Sequence, residues 1–214
     1  EVKSGTIKIE GVDVTNALPK KIRQAGLAYV PEERMREGAI AAFTVWENLI
    51  LIDYSSSDYL KRGLFDFGAI RDHSNELVES FDVRTPSIET SCGSLSGGNI
   101  QKVIMARELS SSPIVLVASQ PTRGVDIGAA EYIHRRLIDK RNKLTDAEFI
   151  QQKLLEHRTA MTAVLMISED LDEIFGLSDR IAVMYEGKIM GVVDPATATR
   201  EEVGLMMAGV AREE

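Results

Sequence analysis

The stretch with the most specific chemistry is "LSGGNIQK", which runs from Leu95 to Lys102. It begins a helix-forming run that continues as "VIMARELSSS". A serine and two glycines at a helix N-terminus expose a hydroxyl and backbone N–H groups where the helix dipole favours negative charge, so this site could hold a phosphate. An ordinary helix cap is the alternative, because Ser-Gly-Gly by itself is a common turn.

A second stretch, "IVLVASQPTRGVD", runs from Ile114 to Asp126 and predicts a buried parallel strand followed by a polar loop. Nucleotide-hydrolysing proteins usually present carboxylates after such a strand, to a metal and to a water. Here Ser119 and Gln120 occupy those positions. A neutral hydroxyl adds no charge to offset Mg²⁺, and an amide can orient a water but cannot accept its proton. The sequence therefore predicts weak metal binding and no general base at this place.

The elements that position these stretches begin with a short hairpin. The run "SGTIKIEGVDVT" alternates and is broken by a turn at Glu10-Gly11. "NALPKKIRQAG" then predicts a helix with Pro19 near its start and Gly26 just past its end. "LAYVPEE" predicts a buried strand that ends at Pro31.

From about Phe43 to Leu109 the pattern becomes helical. A capping box of Thr44 and Glu47 precedes "VWENLILI". The apolar residues predicted to line one face of the following helix are Ile70, Leu77, Val78 and Phe81. We interpret this region as a helical insert.

After Pro113 the strand and helix alternation returns, which favours an α/β layer fold with a parallel sheet. Strands are predicted at 114–117, 163–167 and 181–185, and helices near 128–143 and 170–175. A turn at Glu186-Gly187 leads into "KIMGVV", and Thr199 with Glu202 caps a final helix through Met207. The charged segment at 142–160 is interpreted as a projecting helix extension, with a disordered loop as the alternative.

With these motifs in order, the sequence resembles the ATP-binding-cassette (ABC) transporter family over nearly its whole length. The family's signature motif is matched at Leu95, Ser96, Gly97, Gly98, Asn99 and Gln101. "YVPEERMREG" lies where that family has its Q-loop, "IVLVASQPT" where it has its Walker B strand, "RGVDIGA" at its D-loop, and "LMISEDLDEI" at its switch loop. The strings look most similar to the second cassette of fused bacterial importers for simple sugars or nucleosides.

The resemblance implies a P-loop-NTPase-like ABC domain with a mostly parallel sheet, a small N-terminal antiparallel β part and a helical subdomain. We expect an N-terminal part with the Q-loop region at 1–42, the helical subdomain ending in the signature motif at 43–110, and the rest of the α/β core at 111–214. In that family, ATP is held between the phosphate loop of one cassette and the signature motif of its partner.

Four departures concern this chain's own nucleotide site. No G-x-x-x-x-G-K-[ST] phosphate loop occurs, from which we expect the chain to be part of a longer protein. Ser119 replaces the Walker B aspartate, and Gln120 stands at the catalytic glutamate. Glu32 holds the Q-loop glutamine position and Glu169 the switch histidine position, where an anionic side chain would repel a phosphate.

These departures assign no catalytic residue to the chain and no metal site, and mark Ser119, Gln120 and Glu169 as degenerate positions. The candidate nucleotide-contacting residues are Ser96, Gly97, Gly98, Asn99 and Gln101 for the partner's ATP, Glu32 at the Q-loop position and Asp126 in the D-loop. ATP and Mg²⁺ are expected in the intact assembly, with neither bound tightly to this chain. The expected partner is another ABC cassette, as the N-terminal half of the same polypeptide.

Permease subunits are the second expected partner. The region from Phe43 to Phe81 follows the Q-loop position and should present a groove to the permease, with Phe43 and Trp46 as candidate lining residues. The alternative function is a non-hydrolytic regulatory or permease-docking domain. DNA-repair and chromosome-structure relatives share the signature motif but carry long coiled coils, and no sustained heptads occur here.

Composition limits the remaining classes. The formal net charge of −8 argues against a broad nucleic-acid interface, so no nucleic-acid partner is expected. Cys92 is the single cysteine, which suits a reducing cytosol and excludes an internal disulfide. No apolar run reaches membrane-spanning length, and the first residues lack the order of a secretory signal. We therefore expect a cytoplasmic protein, peripheral on the cytoplasmic face of the membrane.

Overall fold

The computed structural model describes residues 2–142 and 162–210. The chain separates into two compact units, Glu1–Ile167 and Ser168–Glu214. In the first unit, β1 (Lys8–Ile9) pairs antiparallel with β2 (Val12–Asp13). Glu10 and Gly11 both have positive φ, as a tight two-residue hairpin turn requires. This hairpin was predicted and is confirmed.

Helix α1 (Pro19–Gln24) starts at the predicted proline and is followed by β3 (Leu27–Val30). Gly26 connects them at a φ of +96°, and a Cβ there would lie 2.7 Å from Ile114 Cδ1. Only glycine tolerates both the backbone conformation and this close approach. The prediction of a buried strand holds for one face of β3 only, because Ala28 and Val30 are buried and Tyr29 between them is exposed.

The helical region contains α2 (Val45–Ile50), α3 (Phe67–Ser80) and α4 (Gly97–Ser110). The Thr44–Glu47 capping box of α2 is confirmed in both directions. A hairpin that we did not predict, β4 (Leu60–Lys61) with β5 (Leu64–Phe65), interrupts the helices. Arg62 and Gly63 both adopt positive φ in its turn, a geometry that fits two-residue hairpins and excludes helix.

Strand β6 (Val115–Ser119), helix α5 (Ile127–Asn142) and β7 (Ala163–Ile167) complete the first unit. The parallel sheet has the order β3-β6-β7 among the described strands, with Leu116 facing Ala28 and Val164. Helix α4 packs against β3 and buries almost every residue between Gly98 and Leu109. The other face of the sheet carries exposed apolar side chains, among them Leu165 and Ile167.

The second unit contains α6 (Leu171–Leu177), β8 (Ile181–Tyr185), β9 (Lys188–Val193) and α7 (Arg200–Met207). As predicted, β8 and β9 form an antiparallel hairpin through Glu186 and Gly187, and Thr199 caps α7 by accepting from the Glu202 N–H. Its core is Ile181, Val183, Val193, Val203 and Met206.

Two predictions about the architecture stay untested by this structure. Apart from Asn142, which ends α5, the segment at 142–160 lies outside the described residues. The division at 42/43 and 110/111 also stays a prediction. Within the described part of the chain, no helix is long and apolar enough to cross a membrane.

Candidate functional site

The candidate site begins at the N-terminus of α4, where Ser96 is the capping residue. Its Oγ accepts a hydrogen bond from the Asn99 N–H at 3.4 Å and one from Asn99 Nδ2 at 2.9 Å. The side-chain carbonyl of Asn99 accepts from the backbone N–H of Arg84 at 2.8 Å. Gly97 and Gly98 occupy the first turn, where helix geometry leaves the N–H groups without an intrahelical acceptor. A hydroxyl and main-chain donors therefore converge at this helix end.

The two glycines of this turn are closely packed. A Cβ at Gly98 would lie 2.9 Å from Ala129 Cβ and 3.1 Å from Asp126 Oδ2, and one at Gly97 would lie 3.3 Å from the guanidinium of Arg34. Asp126 in turn caps α5, since its Oδ1 accepts from the Ala129 N–H at 2.9 Å. The starts of α4 and α5 are therefore in contact, and the space between them admits no larger residue at position 98.

A cleft of 390 Å³ opens beside this contact. It is lined by Asp82, Arg84, Ser96, Gly98, Asn99, Lys102, Asp126, Gly128, Ala129, Glu131, Tyr132 and Arg135. Three of these residues are cationic and three are acidic. Helix-terminal N–H groups, a serine hydroxyl and cationic side chains are donors suited to an anionic group such as phosphate.

Lys102, one of the cations of the cleft, forms an ion pair with Asp82. Its Nζ lies 2.6 Å from Asp82 Oδ2 and 2.8 Å from the Asp82 carbonyl oxygen, and 4.6 Å from the centre of the Tyr132 ring. The hydrogen bond from Lys102 lowers the pKa of the Asp82 carboxyl. Lys102 is itself buried, so it joins α4 to α5 and supports the wall of the cleft.

Ser119 and Gln120 lie at the carboxyl end of β6. Gln120 has a φ of +47° and its N–H donates to the Ile167 carbonyl at 2.7 Å. In the described part of the chain, no group of three or more histidine, cysteine or acidic residues is arranged to hold a metal ion. A hydroxyl and an amide do not supply the anionic oxygens that Mg²⁺ prefers, so the residues at this position do not fit that ion.

Glu32 and Gln101, in the first unit, do not line the cleft. Glu32 is exposed and forms an ion pair with Arg123, so its carboxylate is engaged by the loop that follows β6. Gln101 is buried in the body of α4, which favours a packing role. Glu169 is exposed in the loop before α6 and belongs to the second unit.

Of the predicted nucleotide-contacting residues, Ser96, Gly98, Asn99 and Asp126 line one cleft. Sequence reasoning missed the other lining residues. Lys102 could have been found, because it closes the "LSGGNIQK" string. Arg84, Tyr132 and Arg135 carry no local signal, since helix packing brings them to the cleft.

An ABC transporter family model matches residues 1–123. The chain belongs to the ABC transporter family. Within the family it is 44% identical over 209 residues to the nucleoside import ATP-binding protein NupA of Lactococcus lactis, covering 98% of this chain and 38% of that protein. It is 39% identical over 211 residues to the guanosine import ATP-binding protein NupO of Bacillus subtilis, covering 99% of this chain and 38% of that protein. The chain therefore spans about two fifths of the length of these curated relatives.

Solved ABC cassettes share the fold at low sequence identity. The dimeric bacterial ABC transporter cassette MJ0796 superposes with a TM-score of 0.64 at 19% identity, covering 90% of this chain and 74% of that one. A post-hydrolysis dimer of MJ0796 bound to ADP and Pi gives a TM-score of 0.63 at 20% identity, with the same coverage of both chains. The chain has the ABC ATPase fold, with a parallel sheet, small antiparallel β parts and helical elements, as the sequence predicted.

Proposed function

We propose that the chain is the second, degenerate nucleotide-binding domain of the ATP-binding subunit of an ABC importer for nucleosides or simple sugars. In this role it supplies Ser96, Gly97 and Gly98 to ATP bound on a partner cassette. The observation that carries the proposal is the cleft at the N-terminus of α4, which joins signature-motif and D-loop residues, whereas Ser119 and Gln120 offer no carboxylate at the end of β6.

The importer class is supported by the relatives. Proteins named for the import of nucleosides, guanosine and ribose match 98–99% of this chain at 37–44% identity. All three are named as ATP-binding proteins, so ATP is the proposed nucleotide. Because the chain spans about two fifths of each relative, we propose that the other cassette and its intact site lie in the remainder of the same polypeptide.

The two cassettes would have different roles because the groups that they offer to a nucleotide differ. The cleft at α4 offers neutral and cationic donors, which suit the phosphates of a nucleotide held elsewhere. ATP and Mg²⁺ would therefore be held on the partner cassette, and a metal would neutralise phosphate charge there. Glu32 and Glu169 put anionic side chains at positions where the ABC family places neutral or donating ones. Both changes weaken nucleotide binding on this chain's own side.

We expect the purified 214-residue chain to hydrolyse ATP at a negligible rate, because it lacks a phosphate loop, an acidic metal ligand and a general base. Ser119→Asp combined with Gln120→Glu should not restore hydrolysis, since the new carboxylates would have no bound phosphate to act on. Phosphate release measured with Mg²⁺ and ATP checks both. Turnover at about 1 per second, an ordinary enzyme rate, would show that the nucleotide site has been placed wrongly.

The exposed face of the parallel sheet supports the proposal that a further segment of the protein covers it. Parallel sheets are ordinarily covered on both faces, and all five residues of β7 are apolar. Yet Leu165 is 58% exposed and Ile167 is exposed beside it. This pattern fits a βα unit from the longer polypeptide that packs on β7.

A cysteine-labelling experiment tests this cover. In the full-length subunit purified without its permease, Leu165→Cys should react with a thiol reagent at least about tenfold more slowly than Leu64→Cys, because only the former would be shielded by the added segment. Leu64 is 75% exposed on the β4–β5 hairpin and serves as the matched control. Cys92 is buried and burial raises its pKa, so it contributes little background. Equal labelling rates would contradict a covered sheet face.

The proposed second partner is the permease, which would contact the region from Phe43 to Phe81. Phe43 is exposed, as a partner contact requires. Trp46 is half buried and packs edge-on against Phe67, with ring centres 6.1 Å apart, so its role is at least partly internal packing. We propose a peripheral position on the cytoplasmic face of the membrane, since an ATP-binding subunit acts through its contact with the permease.

A further inference from the structure

Arg34 lies outside the signature motif, yet it touches the loop on which that motif rests. It begins a π-helical turn, Arg34–Gly38, that follows β3. Its guanidinium donates from Nη1 to the carbonyl of Arg123 at 3.0 Å and from Nη2 to the carbonyl of Gly124 at 2.9 Å. The two acceptors belong to successive residues, so one planar group holds the carbonyls of two consecutive peptide units.

The same guanidinium also borders the first turn of α4. A Cβ at Gly97 would lie 3.3 Å from Arg34 Cζ and Nη2 and 3.5 Å from the Gly124 carbonyl oxygen. A Cβ at Gly124, whose φ is +62°, would lie 3.0 Å from Arg34 Nη2. A side chain at either position would therefore crowd Arg34, which fills the space between the loop and the helix.

A second contact joins the same two segments, and here the loop after β6 supplies the cation. The side chain of Arg123 forms an ion pair with Glu32, two residues before Arg34. The segment after β3 therefore contacts the loop after β6 in two ways. Arg34 donates to two carbonyls of the loop, and Glu32 pairs with the side chain of Arg123. This arrangement gives Glu32 a role at a position where the ABC family carries glutamine.

The loop after β6, which Arg34 and Glu32 contact, leads directly to the cleft. Arg123 and Gly124 lie between Gln120, whose N–H is fixed to the Ile167 carbonyl, and Asp126, which caps α5 and approaches Gly98. A displacement of the Arg123–Gly124 peptide would therefore shift Asp126 against Ser96 and Gly97. The spacing of these groups must match the phosphates of a nucleotide to within a fraction of an ångström to be effective.

We propose that Arg34 is a positioning residue that sets the spacing between the D-loop and the signature motif in the closed assembly. The inference rests on the proposed function, because it assumes that the signature motif acts on a partner's ATP. A lysine cannot replace Arg34 fully, since a point-like ammonium does not present two parallel donors to two carbonyls.

The experiment uses the full-length subunit with its permease and compares Arg34→Met, Arg34→Lys and Arg36→Met. Arg36 lies in the same turn, its side chain is 76% exposed, and it pairs with Glu33 at 3.1 Å, so its replacement is the matched control. We expect Arg34→Met to lower kcat for ATP hydrolysis by about 10- to 100-fold with KM for ATP within about twofold. Arg34→Lys should recover only part of that loss, and Arg36→Met should match wild type.

Ser96→Arg in the same background separates failure of this inference from failure of the proposed function. If Ser96→Arg is inactive and Arg34→Met keeps normal kcat, the positioning role is overturned and the proposed function stands. If both retain normal kcat, the proposed function fails as well. An equal loss in Arg36→Met, or a rise in KM that accounts for the whole effect, also overturns the inference. If Arg34→Met does not fold, Arg34→Lys replaces it in the test. A normal kcat in Arg34→Lys then overturns the positioning role, and a lowered kcat with unchanged KM supports it.

Discussion

Ser96→Arg in the full-length subunit should reduce ATP hydrolysis about 10²- to 10³-fold, the loss typical of removing one preorganised donor that acts in a transition state. Ser96 is exposed at the rim of the cleft, so the larger side chain can be accommodated without disturbing the core. It would nevertheless project into the space that, in the proposed function, a partner's phosphate would enter. Because the two cassettes would meet at this point only when closed, ATP capture by the partner should be nearly unaffected.

The same substitution should have a small effect on stability. Loss of the serine cap removes the hydrogen bonds from Asn99 and costs about 1 kcal/mol. Measured on the 214-residue chain, that corresponds to a fall in Tm of about 2–4 °C. Ser111→Arg is the matched control, because Ser111 is exposed at the C-terminal end of the same helix, where a cation suits the dipole.

Turnover, KM for ATP and Tm measured on both variants separate the two interpretations of the motif. A phosphate-contacting serine predicts a large loss of kcat with a small fall in Tm, and a normal control. A simple helix cap predicts the fall in Tm alone. A destabilised Ser96→Arg protein with normal specific activity would therefore leave the proposed role of the signature motif without support.

Gly97→Asp should impair turnover by an additional route. The new carboxylate would stand beside the guanidinium of Arg34, which is 3.3 Å from the position of a Cβ at Gly97. It would compete with the Arg123 and Gly124 carbonyls for that cation and would repel phosphate. Glycine at position 97 therefore serves in two ways: it allows Arg34 to approach closely, and it leaves its own N–H accessible.

Local signals account for most of what the sequence predicted correctly. The Thr44–Glu47 capping box, the turn at Glu10-Gly11 and the proline at the start of α1 each act within four residues. Such signals do not depend on the rest of the fold, so they can be recognised without it. The turn at Arg62-Gly63 had the same kind of signal, and the surrounding helical pattern concealed it.

The parts of the site that could not be predicted depend on distant segments. The contact of Asn99 with Arg84 spans 15 positions, and that of Arg34 with Gly124 spans 90. Neither pair shows in periodicity or spacing, because packing of α4 and the sheet brings them together. The same holds for the burial of Gln101, which the motif alone presents as a candidate for nucleotide contact.

The second large effect concerns a buried ion cluster that anchors α4. Glu108 is 0% exposed and accepts from Arg23 Nη1 at 2.8 Å, from Arg107 Nη2 at 3.0 Å and from the Tyr29 N–H at 3.1 Å. Arg107 is 3% exposed, and it also reaches the Asn48 carbonyl at 3.5 Å. The Glu108 carboxylate thus links α4 to α1 and β3, and the neighbouring Arg107 links α4 to α2.

Glu108→Gln should destabilise the chain by about 3–5 kcal/mol, the usual cost of leaving a buried charge without its partner. Burial already lowers the pKa of Arg107, and the Glu108 carboxylate opposes that lowering. Glutamine keeps the shape but removes the negative charge, so Arg107 would remain desolvated and uncompensated. Arg23 is partly exposed and can turn towards water, so the main cost should fall on Arg107.

Urea unfolding of the 214-residue chain, followed by the fluorescence of its single tryptophan, Trp46, measures this cost. Glu33→Gln is the matched control, because it makes the same chemical change in an exposed pair with Arg36 and should cost less than about 1 kcal/mol. Equal losses in the two variants would contradict an anchoring role for Glu108. A loss confined to Glu108→Gln would show that the stability of the fold that carries the cleft at Ser96 depends on a charge at the opposite end of α4.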